Sequence, residues 1–274
     1  MADITTAEPH RFVVKLDGRA GLPRAVLGNK GYGIDAMRQN GLPVPPAFCI
    51  TTEVCARFFA DPRGCLDDIW GEVRQMMQWL EVETSRTFGR GPRPLLVSVR
   101  SGAALSMPGM MDTVLDLGID DGVEDALAAV AGGEFAGDTR NRFSGMYRRI
   151  VLGGDEHAEV PADPWAQLRG AIEAVFASWN SARAITYRAH HGLSDAAGTA
   201  VVVQAMVFGN LADNSGTGVL FSRNPMTGAN EPFGEWLAGG QGEDVVSGSV
   251  DVEPVAALRD EQPAVYEQLM TAAQ

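Results

Sequence analysis

A long helical stretch between two strand-rich segments constrains the fold of this 274-residue chain more than any other feature. The β-branched run at 95–99 is typical of a buried strand, and residues 114–195 show mainly helical patterning. Strand-like runs then return, separated by Gly, Asn and Asp turns, at 201–208, 218–222 and 234–238. The pattern predicts an α+β chain with a helical insert between two strand-bearing segments.

Three subdomains follow from this organisation: residues 1–113, a mainly helical part at 114–197, and a strand-rich part with a C-terminal helix at 198–274. Apolar residues at three- and four-residue steps predict an amphipathic helix at 66–80. Asp163 and Pro164 suit the N-cap and first position of another long helix.

Charge and composition exclude several classes of function. The formal net charge is −13, whereas nonspecific binding to nucleic acid or to anionic membranes needs basic patches. Apolar residues make up 45% and charged residues 21%, which argues against wholesale disorder. A nucleotide is still an acceptable ligand, because a few focused cations can sit in an acidic protein.

The cysteines and the N-terminus indicate a cytoplasmic protein. Cys49, Cys55 and Cys65 show no zinc-ligand spacing and are expected to be reduced and buried. The first twelve residues contain acidic side chains and no apolar core, so no secretory signal is expected.

Lys30 is the first candidate for binding an anion. It lies in a glycine-rich segment at 27–33, predicted to be a turn that leads into a helix at 34–40. Glycines let backbone amides approach an anion, and the start of a helix adds partial positive charge. A plain surface lysine in a turn explains the same residues, and the segment is not a P-loop.

Arg100 ends the predicted strand at 95–99 and precedes an irregular loop rich in methionine. Its position suits a planar, bidentate contact with phosphate, although a structural pairing with an acidic side chain would account for it equally well. The methionines Met107, Met110 and Met111 predict either core filling beneath the loop or a mobile lid.

Glu235 and Gln241 are candidate magnesium ligands. Glu235 lies in a predicted strand, and Gln241 follows in a glycine-rich turn with further carboxylates. Mg²⁺ prefers one or two carboxylates together with phosphate oxygens. A solvated acidic hairpin is the alternative interpretation.

Seven segments together resemble the N-terminal nucleotide-binding domain of the pyruvate, phosphate dikinase family. Their key residues, in chain order, are L-G-N-K-G-Y-G within 27–55, L-L-V-S-V-R-S-G and S-M-P-G-M-M-D-T within 95–118, D-T-R-N-R-F-S-G-M-Y at 138–147, F-A-S-W-N within 164–188, G-T-A-V-V-V-Q-A-M-V-F-G-N at 198–210, S-G-T-G-V-L-F-S-R-N-P-M-T-G at 215–228 and G-E-W-L-A-G-G-Q-G-E-D-V-V-S-G at 234–248.

The resemblance implies an ATP-grasp-like domain that uses ATP and Mg²⁺. Lys30 and Arg100 would act on the transferring phosphates, and Glu235 and Gln241 would hold Mg²⁺ and nucleotide. The remaining nucleotide-contacting residues that it implies are Ser101, Gly102, Ser106, Gly109, Asp112 and Thr113 of the loop, and Gln204 and Met206 beside the adenine.

In this family, ATP gives a pyrophosphoryl group to a histidine on a separate domain. Inorganic phosphate takes the outer phosphate, and a barrel domain passes the remaining phosphoryl group to pyruvate. The resemblance therefore implies a kinase-type enzyme, a phosphohistidine-bearing partner domain and, as an open question, a homodimer. The 274 residues contain no Gly-Gly-x-Thr-Ser-His segment and no barrel, so we expect part of a longer protein or one module of a shortened one.

Val250 and Asp251 stand where the family usually has an arginine, and this departure favours a competing hypothesis, a catalytically weakened nucleotide-binding sensor or regulatory module. A second departure, Tyr32 in place of a small residue beside Lys30, is expected to change the phosphate pocket. The helical segment at 151–198 also looks shorter than in typical members.

Overall fold

The computed structural model describes residues 11–248 and 250–274. Residues 1–10, on which the prediction about a secretory signal depends, and Ser249 lie outside them. The described chain divides into two compact units between Met206 and Val207. Helices and strands are mixed throughout, which confirms the α+β class.

The first unit contains most of the regular structure. Its strands are β1 (Val13–Lys15), β2 (Ala47–Ile50), β3 (Thr87–Phe88), β4 (Pro94–Leu95), β5 (Val97–Gly102), β6 (Thr113–Leu117) and β7 (Ala200–Ala205). Its helices are α1 (Arg24–Gln39), α2 (Thr52–Ala60), α3 (Pro62–Thr84), α4 (Asp121–Ala131), α5 (Gly133–Ile150), α6 (Pro164–Ser178) and α7 (Ala182–His190).

A five-stranded antiparallel sheet forms the centre of the first unit. Its strand order is β1-β2-β7-β5-β6, so β7 pairs with β2 on one side and with β5 on the other. This central position explains why the first unit extends to Met206, whereas the sequence predicted a boundary between residues 197 and 198 that would detach β7 from its sheet. The strand is also shorter than the predicted 201–208.

Each face of the sheet is covered by a different helix. Helix α1 packs against β2, β5 and β7, and α6 packs against β5, β6 and β7. The core on the α1 side is formed by nine buried residues: Val14, Leu16, Ala20, Leu27, Ile34, Ala47, Cys49, Ala200 and Val202. Because side chains alternate along a strand, polar residues in register with this set lie on the side covered by α1.

The second unit is built on a small antiparallel sheet. It contains β8 (Gly216–Phe221), β9 (Phe233–Ala238), α8 (Gly242–Ser247), β10 (Glu253–Pro254), α9 (Leu258–Glu261) and α10 (Pro263–Ala272). The strand order is β10-β9-β8. Trp236, Val255 and Leu258 form its buried apolar cluster.

Several sequence-based predictions of helices are confirmed. Helix α3 covers the predicted 66–80 stretch, and its buried side includes Leu66, Val73 and Leu80. In α6, Asp163 is the N-cap, and its side chain accepts a hydrogen bond from the Trp165 amide at 3.1 Å. Such caps satisfy amides that have no partner within the helix.

The predicted glycine-rich turn at 27–33 is wrong. The segment belongs to α1, and only Gly28 departs from helical geometry, with φ 69° and ψ 170°. Gly31 is instead used for close packing, because a Cβ there would lie 3.4 Å from the Cys49 Sγ and 3.7 Å from a Val202 methyl group. Glycines can thus serve a helix–sheet contact as well as a loop.

Cys49, Cys55 and Cys65 are free and buried, as predicted. Burial raises the pKa of all three thiols. Among the helices of the described residues, none combines the length and apolar character that crossing a membrane requires.

Candidate functional site

The register of the central sheet places Arg100 and Gln204 on the same face. Ser98 on β5 is opposite Gln204 on β7, and Arg100 is opposite Val202. Directly opposed residues share a face, and residues two positions apart along a strand do as well. Since Val202 belongs to the core beneath α1, Arg100 and Gln204 lie on the side that α1 covers.

Helix α1 brings Lys30 to the end of β5. The Lys30 Nζ donates a hydrogen bond to the Ser101 carbonyl oxygen at 2.8 Å. One residue earlier, the Asn29 amide donates to the Ala103 carbonyl at 2.8 Å. These two bonds join the start of the regular part of α1 to the chain segment that leaves β5.

The contact between α1 and β5 depends on a glycine in each. A Cβ on Gly28 would lie 1.6 Å from the Gly102 carbonyl oxygen, which is far inside contact distance. Gly102 in turn is held by the residue that precedes β7, because its amide donates to the Oγ1 of the buried Thr199 at 3.2 Å. The backbones of the two segments therefore cross in direct contact beside Lys30.

Arg100 is held by a neutral partner. Its Nη2 donates to the Gln204 Oε1, and the buried Nε has no hydrogen-bond partner among the described residues. Burial lowers the pKa of Arg100. The alternative left open by the sequence, an arginine paired with an acidic side chain, does not match this amide contact. A buried N–H donor without an acceptor is costly unless a ligand satisfies it.

Lys30 and Arg100 form a pair of neighbouring cations. Although Lys30 is exposed as a residue, burial around its ammonium group and, secondarily, the charge of Arg100 lower its pKa. Their hydrogen-bond partners here are a backbone carbonyl and an amide, which do not neutralise positive charge. An anion bound between these side chains would relieve the repulsion, so the arrangement suits phosphate oxygens.

The loop after β5 is anchored to the helical segment. Arg183 of α7 donates from Nε to the Met110 carbonyl at 3.0 Å and from Nη2 to the Asp112 carboxylate. The Asp112 amide donates to the Ser178 Oγ at 3.3 Å. The structure therefore places the predicted ligand Asp112 in an ion pair with Arg183.

The other predicted residues of this loop have different surroundings. Ser106 and Gly109 are exposed, whereas Met107 is buried. Thr113 begins β6 opposite Arg100 and thus lies on the same face of the sheet. Anchored at Asp112, with an exposed middle, the loop has the features of a segment that can change conformation while its base stays fixed.

Removing the Arg183 anchor should loosen this loop. Arg183 and Asp112 are partly exposed, so their pairing contributes only about 1 kcal/mol or less, and Arg183→Ala should speed amide exchange at 103–112 about 5-fold. Hydrogen–deuterium exchange with mass spectrometry measures this.

The matched control for this experiment is Arg149→Ala, which removes an exposed arginine from α5. It should leave exchange in the loop unchanged. Equal exchange in the wild type and in Arg183→Ala would show that Arg183 does not anchor the loop.

The second unit carries the two predicted magnesium ligands. Glu235 is exposed on β9, opposite Val219 of β8. Gln241 is buried at the start of α8, where its amide donates to the Asp244 Oδ2 at 2.8 Å and its Nε2 to the Asn210 Oδ1 at 3.4 Å.

Glu235 and Gln241 would need oxygens from other sources to hold a metal ion. Within residues 11–248 and 250–274, no group of three or more His, Cys, Asp or Glu side chains is arranged to hold a metal ion. One exposed carboxylate with an amide nearby in sequence is the kind of partial donor set that Mg²⁺ uses when phosphates and waters supply the remaining oxygens.

Met206 and Gln204, the two residues predicted to lie beside the adenine, have different burial and hydrogen-bond partners. Met206 is half-buried just after β7, and its amide donates to the Leu96 carbonyl at 2.9 Å. Gln204 is 7% exposed and uses both ends of its side-chain amide, accepting from Arg100 and donating to the Pro45 carbonyl at 2.9 Å.

Sequence reasoning missed Thr199, Pro45 and Arg183, which position the predicted residues. Their contacts join positions 71 to 159 residues apart, so no local motif marks them. A prediction that β5 pairs with β7 is the one signal that would have brought Thr199 and Gln204 to Gly102 and Arg100.

Comparison with known proteins gives a consistent result. A family model described as "Pyruvate phosphate dikinase, AMP/ATP-binding domain" matches residues 66–273. The chain is 41% identical to pyruvate, phosphate dikinase 1, chloroplastic, of Oryza sativa subsp. japonica, over 89% of this chain and 30% of the relative. It is 39% identical to pyruvate, phosphate dikinase of Entamoeba histolytica, over 91% of this chain and 34% of the relative.

The chain thus spans about a third of the length of the curated relatives that it matches. The family model covers most of the chain, from within α3 to within the last residues of the second unit. By this match, the chain belongs to the family of pyruvate phosphate dikinase AMP/ATP-binding domains.

Proposed function

We propose that this chain binds Mg-ATP and transfers a pyrophosphoryl group from it to a histidine on a separate domain. The observation that carries the proposal is the Lys30–Arg100 pair, two neighbouring cations with neutral partners and an unsatisfied Arg100 Nε. The family to which the chain belongs is described as an AMP/ATP-binding domain, which supports ATP as the anion.

The proposed chemistry needs positioning and charge neutralisation more than covalent catalysis by the protein. In phosphoryl transfer, negative charge is spread over the oxygens of the transferred group, and fixed cations stabilise it. Lys30 would contribute a mobile ammonium group, and Arg100 a planar guanidinium whose orientation is fixed. Bound Mg²⁺ would supply further positive charge at the phosphates, with Glu235 and Gln241 as its protein ligands.

The loop at 101–113 would cover the phosphates during transfer. Gly102 lies at its start next to Lys30, and Ser106 and Gly109 lie in its exposed middle. Excluding water is important because water competes with histidine as the acceptor of an activated phosphoryl group. We further propose an ATP-grasp-like fold, for which the two separate sheet-bearing units are the support.

The complete reaction would convert ATP, phosphate and pyruvate to AMP, diphosphate and phosphoenolpyruvate. It requires a histidine-bearing domain and a pyruvate-binding domain, which we expect as further parts of the polypeptide or as a partner. The three free, buried cysteines suit a reducing compartment such as the cytosol.

A radiolabel experiment distinguishes the proposed reaction from ordinary kinase chemistry. The chain is incubated with Mg²⁺, ATP labelled at the β-phosphate and a histidine-bearing domain of a dikinase. Pyrophosphoryl transfer moves the β label to that domain and releases AMP, whereas transfer of the γ-phosphate alone leaves the label in ADP. The control is the same domain with its histidine changed to alanine, which should take up no label.

The alternative function is a nucleotide-binding sensor that has lost transfer. It is favoured by Val250 and Asp251, which are both exposed and stand where the family resemblance leads us to expect a cation. Calorimetric binding of Mg-ATP without any labelling of the histidine domain would support the sensor. Absence of Mg-ATP binding would contradict both functions.

A further inference from the structure

The Gln204 side chain connects Arg100 on one neighbouring strand to a backbone carbonyl next to the other neighbouring strand. Its Oε1 accepts from the Arg100 Nη2, and its Nε2 donates to the Pro45 carbonyl at 2.9 Å. Pro45 belongs to the segment that leads into β2, the neighbour of β7 on the side away from β5. The three groups therefore form a hydrogen-bonded chain across three strands of the sheet.

The two hydrogen bonds at its ends leave the side-chain amide of Gln204 with one orientation. Its oxygen faces a cationic donor and its nitrogen faces a carbonyl acceptor, so the opposite orientation of the amide would create two repulsive contacts. The backbone is equally constrained, because Gln204 is in register with Ser98 on one side and with Ala47 on the other. Gln204 is 7% exposed, which limits competition from water.

This fixed amide also determines which edge of Arg100 remains available. Binding of Nη2 to Gln204 fixes the plane of the guanidinium group, and the buried Nε–H has no acceptor among the described residues. A neutral partner orients the group without cancelling its charge. An aspartate or glutamate in the same place would orient it but would neutralise it and weaken its attraction for an anion.

We propose that Gln204 is a positioning residue for Arg100, holding the guanidinium group so that its Nε–H and its full positive charge are available to a phosphate of the bound nucleotide. The inference rests on the proposed function, because it assigns Arg100 a phosphate ligand. It gives Gln204 a role that differs from contacting adenine, the role implied by the family resemblance.

A double-mutant cycle tests the proposal through Mg-ATP affinity. Gln204→Met keeps the length of the side chain and removes both hydrogen bonds, and it should raise the Kd for Mg-ATP about 10-fold, or about 1.4 kcal/mol. In an Arg100→Ala background, the same substitution should change the Kd less than about 2-fold, because there is no guanidinium left to orient. Equal effects of Gln204→Met in both backgrounds would overturn the proposal.

Gln167 provides a matched control for the loss of a buried amide. It lies in α6 and is 1% exposed, and its side chain accepts from the Gly118 amide at 3.0 Å and donates to the Pro161 carbonyl at 2.7 Å, with no hydrogen bond to Arg100. Gln167→Met should lower thermal stability while changing the Kd equally little in both Arg100 backgrounds. If Gln204→Met fails to unfold cooperatively, Gln204→Asn replaces it, since the shorter amide cannot bridge both partners.

A nucleotide-free measurement separates failure of this inference from failure of the proposed function. The Nε–H resonance of Arg100, assigned by its loss in Arg100→Ala, should show a rigid side chain in the wild type and in Gln167→Met and a mobile one in Gln204→Met. A rigid Arg100 in Gln204→Met would overturn the positioning role even if ATP binds. Absence of ATP binding with the expected Arg100 dynamics would contradict only the nucleotide function.

Discussion

Gly28→Ala is expected to lower the free energy of unfolding by about 4 kcal/mol or more, among the largest effects seen for single substitutions. Alanine pays a steric penalty at φ 69°, and its Cβ would lie 1.6 Å from the Gly102 carbonyl oxygen. To relieve this overlap, α1 and β5 must separate. The separation would break the bond from the Asn29 amide to the Ala103 carbonyl and move Lys30 away from Ser101.

Gly33→Ala is the matched control in the same helix. A Cβ at Gly33 would meet nothing within 4 Å, and Gly33 has no positive φ. Alanine there should stabilise the protein by roughly 0.5–1 kcal/mol, because it favours helix more than glycine does. Urea unfolding of both variants measures the difference, and similar stabilities for the two would contradict the close contact between Gly28 and Gly102.

Much of the fold could be predicted from local sequence patterns. The helical periodicity at 66–80 and the Asp163–Pro164 cap identified α3 and α6, because side-chain burial and capping depend on neighbouring residues. The boundary of the first unit could not be predicted in the same way. It depends on the pairing of β7 with β2 and β5, which are distant in sequence.

The interpretation of 27–33 failed for a related reason. Three glycines in seven residues are typical of a turn, but glycine also occurs within a helix, or at a break in one, where the backbone must approach another segment closely. Gly28 and Gly31 are explained by contacts with Gly102 and Val202, which a single sequence does not reveal.

In the candidate site, the residue types suited to phosphate could be predicted from the sequence, but their hydrogen-bond partners could not. Lys30 and Arg100 were identified because their chemistry suits phosphate, and the structure places them on one side of the sheet. The scarcity of lysine is a further sequence signal that draws attention to Lys30, because Lys15 and Lys30 are the only two lysines among the 22 Lys and Arg residues. The neutral partner of Arg100 was out of reach, because Gln204 lies 104 residues away along the chain.

Lys30→Ala and Arg100→Ala should each raise the Kd for Mg-ATP about 10- to 100-fold, the effect of losing a charged hydrogen bond worth about 1.5–3 kcal/mol. Histidine labelling should fall at least as far, since negative charge on the transferred group must be stabilised throughout the reaction. Isothermal titration calorimetry and the β-phosphate label measure the two effects. Arg90→Ala, which removes an exposed arginine from the same unit, is the control and should leave both unchanged.

The pKa of Lys30 tests the coupling of these cations without any nucleotide. Burial and, secondarily, the charge of Arg100 lower this pKa, so Arg100→Ala should move it part of the way upward, toward the ordinary value for lysine, while Arg90→Ala should not. Reductive ¹³C-methylation reports it clearly, because Lys15 is the only other lysine signal. Bound phosphate stabilises the charged ammonium, so Mg-ATP should also raise the pKa of Lys30 and cause proton uptake on binding. An unchanged Lys30 pKa in both cases would mean that the two cations do not share one anion site.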